Sequence, residues 1–232
     1  MTEKEGIAWF KHNFSDKVTA GLAGTPLAPD LIAAVAMQES FSDAWGLIFK
    51  KMPVDQVIMR CVGDTLDFPN RSSAFPRNKA ELVAFDPHGK TGQQMFEIAR
   101  DALETLADFN PGYKPAAHNP DKFCHGYGIF QYDIQFFKDE NPSFFLEKKW
   151  FDFDACLKLC VDELQKVATR LFPGKTTLND DQMTFVAIGY NIGAGKVRLD
   201  KGFKQGHEDD GVFYGENINR FLKMAHAVPA TP

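Results

Sequence analysis

The chain has 232 residues, 44% of them hydrophobic and 25% charged, with a formal net charge of -5. That length suits one domain or at most two small ones, and the apolar share can fill a packed core, which excludes wholesale disorder. The acidic balance argues against a nucleic-acid binder, whose surface would be basic, and gives no electrostatic help towards an anionic membrane. Four cysteines are too few for a disulfide scaffold of this size. Phenylalanine is in excess, 22 against 5 tyrosines and 3 tryptophans, which points first to core and second to a stacking surface.

Met1 to Ser15 is charged and mixed, without the apolar stretch and small-residue cleavage site of a secretory leader. No run approaches the roughly 18 apolar residues of a membrane span. The expectation is a protein made in the cytoplasm that would reach an outside target by another export route or by lysis.

Most segments read as helix. Residues 29–41 open with Pro29 and Asp30, a favoured first-turn pair. Leu31, Val35 and Glu39 then recur at i, i+4 and i+8 on one face. Residues 91–108 repeat the pattern through Met95, Ile98, Ala102 and Leu106. Residues 152–172 carry a long stripe that includes Phe153, Cys156, Leu157, Cys160, Leu164 and Leu171. Asn179 and Gln182 form a capping-box pattern for a helix over 180–192, stopped by Gly193 and Gly195. A last helix is expected over 215–227. The loops at 62–78, 109–125 and 173–179 are rich in Pro, Gly and Asn, and strand signal is confined to a short hairpin around Tyr127–Tyr132. The fold class expected is mainly α.

Glu39 is the first residue with chemistry to offer. A carboxyl on an apolar stripe loses hydration, which favours its neutral form, and the negative end of the helix dipole acts in the same direction. A carboxylic acid still protonated near neutral pH is what protonation of a glycosidic oxygen requires. The bland reading is a rim glutamate in solvent. Two further segments accompany it. Gly126 and Gly128, beside Tyr127 and Gln131, would let backbone approach a sugar closely, with Gln131 fixing orientation. Tyr190 and Asn191 sit at a helix end among small residues.

In this order, Glu39-Ser40, Gly128-Ile129-Phe130-Gln131 and Gly189-Tyr190-Asn191-Ile192-Gly193 resemble the three motifs of the lysozyme-like superfamily, in its soluble lytic transglycosylase and goose-type lysozyme branch. The resemblance implies a lysozyme-like helical domain over 1–232 with Glu39 as catalytic acid/base. Ser40 would support it, and Tyr127, Gln131, Tyr190 and Asn191 would line a saccharide cleft. The substrate implied is peptidoglycan or a related amino-sugar polymer, cleaved at β-1,4 linkages without a cofactor. Residues 41–125 form a longer insertion between the first two motifs than the family carries. Phe130 stands where Met is commoner and Gly189 where Ala is commoner. The closing helix, with Glu216 and Phe221, lacks a clear match to the family's tyrosine.

Reaction type turns on a second carboxylate. Inverting hydrolysis needs one roughly 6.5–9.5 Å from the acid, and retaining chemistry one about 5–5.5 Å away. Lytic transglycosylases use a single glutamate and close a 1,6-anhydro ring. Asp133 is the acidic residue adjoining the second motif, and Asp64, Asp67 and Asp86 in the insertion are further candidates, each more at home on a solvated surface. A hydrolytic lysozyme or chitinase and a non-catalytic glycan-binding module are the other readings. Cys156 and Cys160, one turn apart on the apolar stripe, read as buried thiols without the further ligands of a metal site. Cys61 and Cys124 would pair only in an oxidising compartment. His125 reads as a loop-orienting group, and Arg71, Arg77 and Lys79 as surface cations or contacts for stem-peptide carboxylates. The aromatic run 144–151 reads as a hydrophobic lead-in to the next helix.

Overall fold

The structure is a computed structural model that describes residues 2–67, 74–87, 89, 91–139 and 141–229. In chain order the helices are α1 (Glu3–Gly21), α2 (Pro29–Ala36), α3 (Val54–Ile58), α4 (Lys79–Ala84), α5 (Thr91–Phe109), α6 (Lys114–His118), α7 (Phe136–Asp139), α8 (Pro142–Leu146), α9 (Phe153–Leu171), α10 (Asp180–Ile192) and α11 (Tyr214–Ala227). The strands are β1 (Val62–Gly63), β2 (Gly126–Tyr127), β3 (Tyr132–Asp133), β4 (Glu208–Asp209) and β5 (Val212–Phe213). Helix takes 62% and strand 5%, so the chain is mainly helical with small antiparallel sheets.

The chain divides into two compact units, Met1–Phe41 with Leu157–Pro232, and Ser42–Cys156. The sequence reading ended the insertion at residue 125. The second unit runs further because β1 pairs with β2, Val62 opposite Tyr127 and Gly63 opposite Gly126, which ties the second motif to the inserted segment. The hairpin expected around Tyr127–Tyr132 is β2–β3, with those two tyrosines opposite each other.

In the first unit, α1 was not foreseen. Thr2 and Glu5 close a capping box at its start, and Ile7, Phe10, Phe14 and Val18 bury one face at helical spacing. Six of the eight α2 residues are buried. Its small side chains, Ala33, Ala34 and Ala36, let α11 and α1 pack against it. Asn179 and Gln182 cap α10 reciprocally as expected, at 2.9 and 3.1 Å. A Cβ at Gly189 would stand 2.4 Å from Val167 Cγ1. Close packing of α10 on α9 therefore disfavours any side chain there.

One imidazole gathers three helix ends. His226, in the last turn of α11, has Nδ1 2.6 Å from Asp30 in the first turn of α2. Its Nε2 lies 3.1 Å from Asp180 in the first turn of α10. Each carboxylate stands at a positive helix end and the imidazolium at a negative one. Lys11 of α1 completes the set, 2.7 Å from Asp30 and donating to the α11 carbonyls of Ala225 and, beyond the helix, Val228. Burial pulls His226 down, but the bonds and charges of Asp180 and Asp30 outweigh it and hold the ring above its ordinary value.

In the second unit α5 buries Met95, Ala99, Leu103 and Leu106. Phe145 and Trp150 are buried against Tyr127, with the Trp150 and Tyr127 rings edge-on at 4.8 Å, and Phe144 is buried against Tyr132. In the 144–151 run these three rings are core, while Glu147 and Lys149 are exposed. All four cysteines are buried and free. Among the described residues no helix is long and apolar enough to cross a membrane.

Two outcomes are expected. Gly189→Ala should lower unfolding free energy by about 1–3 kcal/mol, the usual cost of overpacking. Adding Val167→Ala should restore part of it in denaturant titration, because the blocking methyl is gone. His226 contributes stability that is full below its unfolded pKa of about 6.5 and is lost as pH rises through its raised folded value. His226→Ala should therefore cost at most about 1 kcal/mol at pH 5.5, the half-exposed ring being screened by solvent. The cost should shrink at pH 8.5.

Candidate active site

Glu39 does not continue the α-helical register of α2. Met37–Phe41 forms one π-helical turn, a rare geometry often found at functional positions. In this turn Glu39 is half-buried beside the start of α11. There Tyr214, the first residue of α11, donates its hydroxyl proton to Glu39 Oε1 at 2.6 Å. Burial pushes the Glu39 carboxyl up from its ordinary value to about 7, against the opposing pull of the Tyr214 hydrogen bond. Tyr214 is itself 4% exposed. Burial and then the Glu39 charge raise its phenol well above the usual range, so it remains a donor at any physiological pH. Ser40 is buried beside Glu39 in the same turn.

A folded-back loop sets Tyr214 in place. Asn191, at the end of α10, accepts the His207 backbone N–H at 3.0 Å. The Tyr214 N–H donates to the His207 carbonyl at 2.8 Å, and the Gly215 N–H to the Gln205 carbonyl at 3.0 Å. Gln205 is 8% exposed and spends its whole amide on the loop: it accepts from the Arg198 N–H and donates to the Arg198 and Gly202 carbonyls. Gly206, at φ +93°, must lack a side chain because a Cβ would stand 2.6 Å from Tyr214 Cβ and 3.1 Å from Asn191 Oδ1. Tyr190 is half-buried and electrostatically coupled to Tyr214. The structure thus brings Glu39, Ser40 and Tyr190 together with Tyr214, and gives Asn191 a loop-holding bond. Tyr214 and Gln205 escaped the sequence reading. Their one local signal was Asp210-Gly211, the turn of the β4–β5 hairpin with both residues at positive φ.

The other expected residues belong to the second unit, where each has a local partner. Tyr127 is 1% exposed and donates its hydroxyl to the Cys124 carbonyl at 2.8 Å. Gln131, at φ 52°, donates its amide to the Gly128 carbonyl at 2.9 Å. A Cβ at Gly126 would lie 2.3 Å from the Gln131 amide oxygen, so this glycine makes room for a side chain of its own hairpin. Asp133 accepts from the Gln135 N–H, Asp64 from the Leu66 N–H and Asp86 from the Thr91 N–H. Asp67 pairs with Lys122 at 3.0 Å. His125 is buried and stacked on Phe123 at 4.6 Å, in keeping with a loop-orienting role. Arg77 forks onto Glu81 and Lys79 pairs with Asp121, while Arg71 lies outside the described residues.

Chemically, the first unit presents one carboxyl that holds its proton to about neutral pH and a phenol hydrogen-bonded to it. In comparisons with known proteins, no family model, curated protein or solved structure matches this chain.

Tyr214→Phe should raise the Glu39 pKa further, because it removes the one bond that favours the carboxylate. Carbon-detected NMR titration of labelled glutamate, assigned with Glu39→Gln, reads this directly. A midpoint unchanged or lowered from about 7 would contradict the geometry.

Proposed function

We propose that this chain cleaves β-1,4 linkages in peptidoglycan by lytic transglycosylation, with Glu39 as acid and then base. The observation that supports this most is the Glu39 carboxyl itself, protonated up to about pH 7 and oriented by Tyr214. As acid, Glu39 gives its proton to the glycosidic oxygen while the C1–O bond breaks. As base, its carboxylate takes the proton of the C6 hydroxyl while that oxygen bonds to C1. The proton is returned, the 1,6-anhydro ring closes and no water enters. A single carboxyl whose pKa lies near working pH suits both halves.

Tyr214 keeps a charge-assisted bond ready for the carboxylate formed after the first transfer, and releases little when the acid is neutral. The order of the Glu39-Ser40, Gly128–Gln131 and Gly189–Gly193 motifs supports the lysozyme-like assignment and the cell wall as the place of action. Tyr190, half-buried beside Tyr214, is the saccharide contact in this reading. Tyr127 has no direct contact with substrate, since its ring and hydroxyl are spent in the core of its own unit.

Mass spectrometry of purified peptidoglycan digested by the parent protein should show products one water lighter than hydrolytic fragments. Activity should fall about tenfold per pH unit above about 7, as Glu39 loses its proton. Glu39→Gln should lower the rate by at least roughly 10²-fold. Water-added products would replace this reading with a lysozyme- or chitinase-type hydrolase, and binding without any product would replace it with a glycan-binding module.

A further inference from the structure

The second unit holds a cavity of about 170 Å³ with no part in the chemistry above. It opens between the end of α3, one face of α5 and the turn that leads into α9. Ile98 and Asp101 face it from α5, at helical i, i+3 spacing. Its walls are apolar where Met59, Ile98, Trp150 and Phe151 meet. Three charges stand around them: Arg60 and Lys148, both cationic, and Asp101, anionic.

These charges are not spent on one another. Among the described residues the Arg60 guanidinium bonds only Gln56, through the backbone carbonyl and the side-chain oxygen. The side chains of Lys148 and Asp101 make no hydrogen bond or ion pair among the described residues. Lys148 is moreover held at φ 52°, ψ 39°, a left-handed conformation that a lysine rarely adopts. Lys148 lines the cavity. Trp150, in the wall, carries a buried indole N–H with no acceptor among the described residues.

We propose that this cavity binds a free α-amino acid with a short apolar side chain, as its zwitterion. The carboxylate takes Arg60 and Lys148, the ammonium takes Asp101, and the side chain lies against Met59, Ile98, Trp150 and Phe151. Each alternative charge type leaves a group unmatched. A simple anion would leave Asp101 unpaired beside it, and a simple cation would face two positive groups. The volume also decides size, since pockets for drug-sized ligands run roughly 300–1,000 Å³.

The test uses the full chain and L-leucine, with 4-methylpentanoate and 3-methylbutylamine as partners that each lack one charge. Leucine should produce saturable amide shift changes at Arg60, Asp101 and Lys148–Phe151 in two-dimensional NMR, and each single-charge analogue should bind about tenfold more weakly. Asp101→Asn should abolish the advantage of leucine over 4-methylpentanoate. The double substitution Arg60→Ala with Lys148→Ala should abolish its advantage over 3-methylbutylamine. The rest of each variant's spectrum, unchanged, reports that the fold is intact. No saturable shift with leucine would overturn the proposal. So would an analogue that binds as tightly as leucine, or a leucine preference that survives both substitutions in folded protein.

Discussion

The hydrogen bond from Tyr214 to Glu39 is the contact around which the first unit is arranged. A carboxyl withdrawn from water is expensive to ionise and inexpensive to keep neutral. Its position therefore requires close helices around it and a fixed donor beside it. The alanines of α2 supply the first by letting α11 approach, and the π-helical turn that follows α2 carries Glu39 to the start of α11. The second comes from a loop folded on itself by Gln205 and held to α10 by Asn191. Neither glutamine nor asparagine touches Glu39, yet both determine where the phenol stands.

The same two helices are tied at their other ends. Glu39 follows α2 and meets Tyr214 at the start of α11, while Asp30 begins α2 and meets His226 in the last turn of α11. The helices thus run antiparallel with a polar contact at each end and buried apolar residues between, Leu31 and Val35 on one side and Ile218 and Leu222 on the other. Apolar packing alone tolerates sliding, because one methyl group resembles the next. Two directional contacts at opposite ends remove that freedom, and a slip that keeps one must break the other.

Periodicity was enough to foresee four of the long helices to within a residue or two, and Asn179-Gln182 to foresee a cap. Helix α1 was readable in principle from Ile7, Phe10, Phe14 and Val18, but its charged residues masked the stripe. Glu39 stood out because an acid at the end of a hydrophobic helix is an anomaly that needs no partner to be noticed. Tyr214 did not, because 175 positions separate it from Glu39 and only tertiary packing joins them. The π turn was equally hidden, since the same residues satisfy an α-helical pattern. Gln131 and Tyr127 each have a local partner that the sequence did not reveal. Glycines beside a polar side chain suggested an open ligand approach, whereas the space at Gly126 is filled by the Gln131 amide of the same hairpin.

Two titrations in the first unit act in one direction. The folded state binds the Glu39 proton more tightly than the unfolded chain does, so folding free energy is lost as pH rises from about 4.5 to about 7. A shift of that size corresponds to a penalty on the order of 3 kcal/mol once the carboxyl is ionised. His226 adds to the loss over the range that begins near its unfolded value, about 6.5, because a neutral imidazole can donate to only one of its two carboxylates. Both groups therefore favour the folded unit on the acidic side, where Glu39 carries the proton that the proposed chemistry spends. An acid that keeps its proton to about neutrality and a unit favoured below neutrality are two consequences of one arrangement, in which α2 and α11 hold a protonated group at each end.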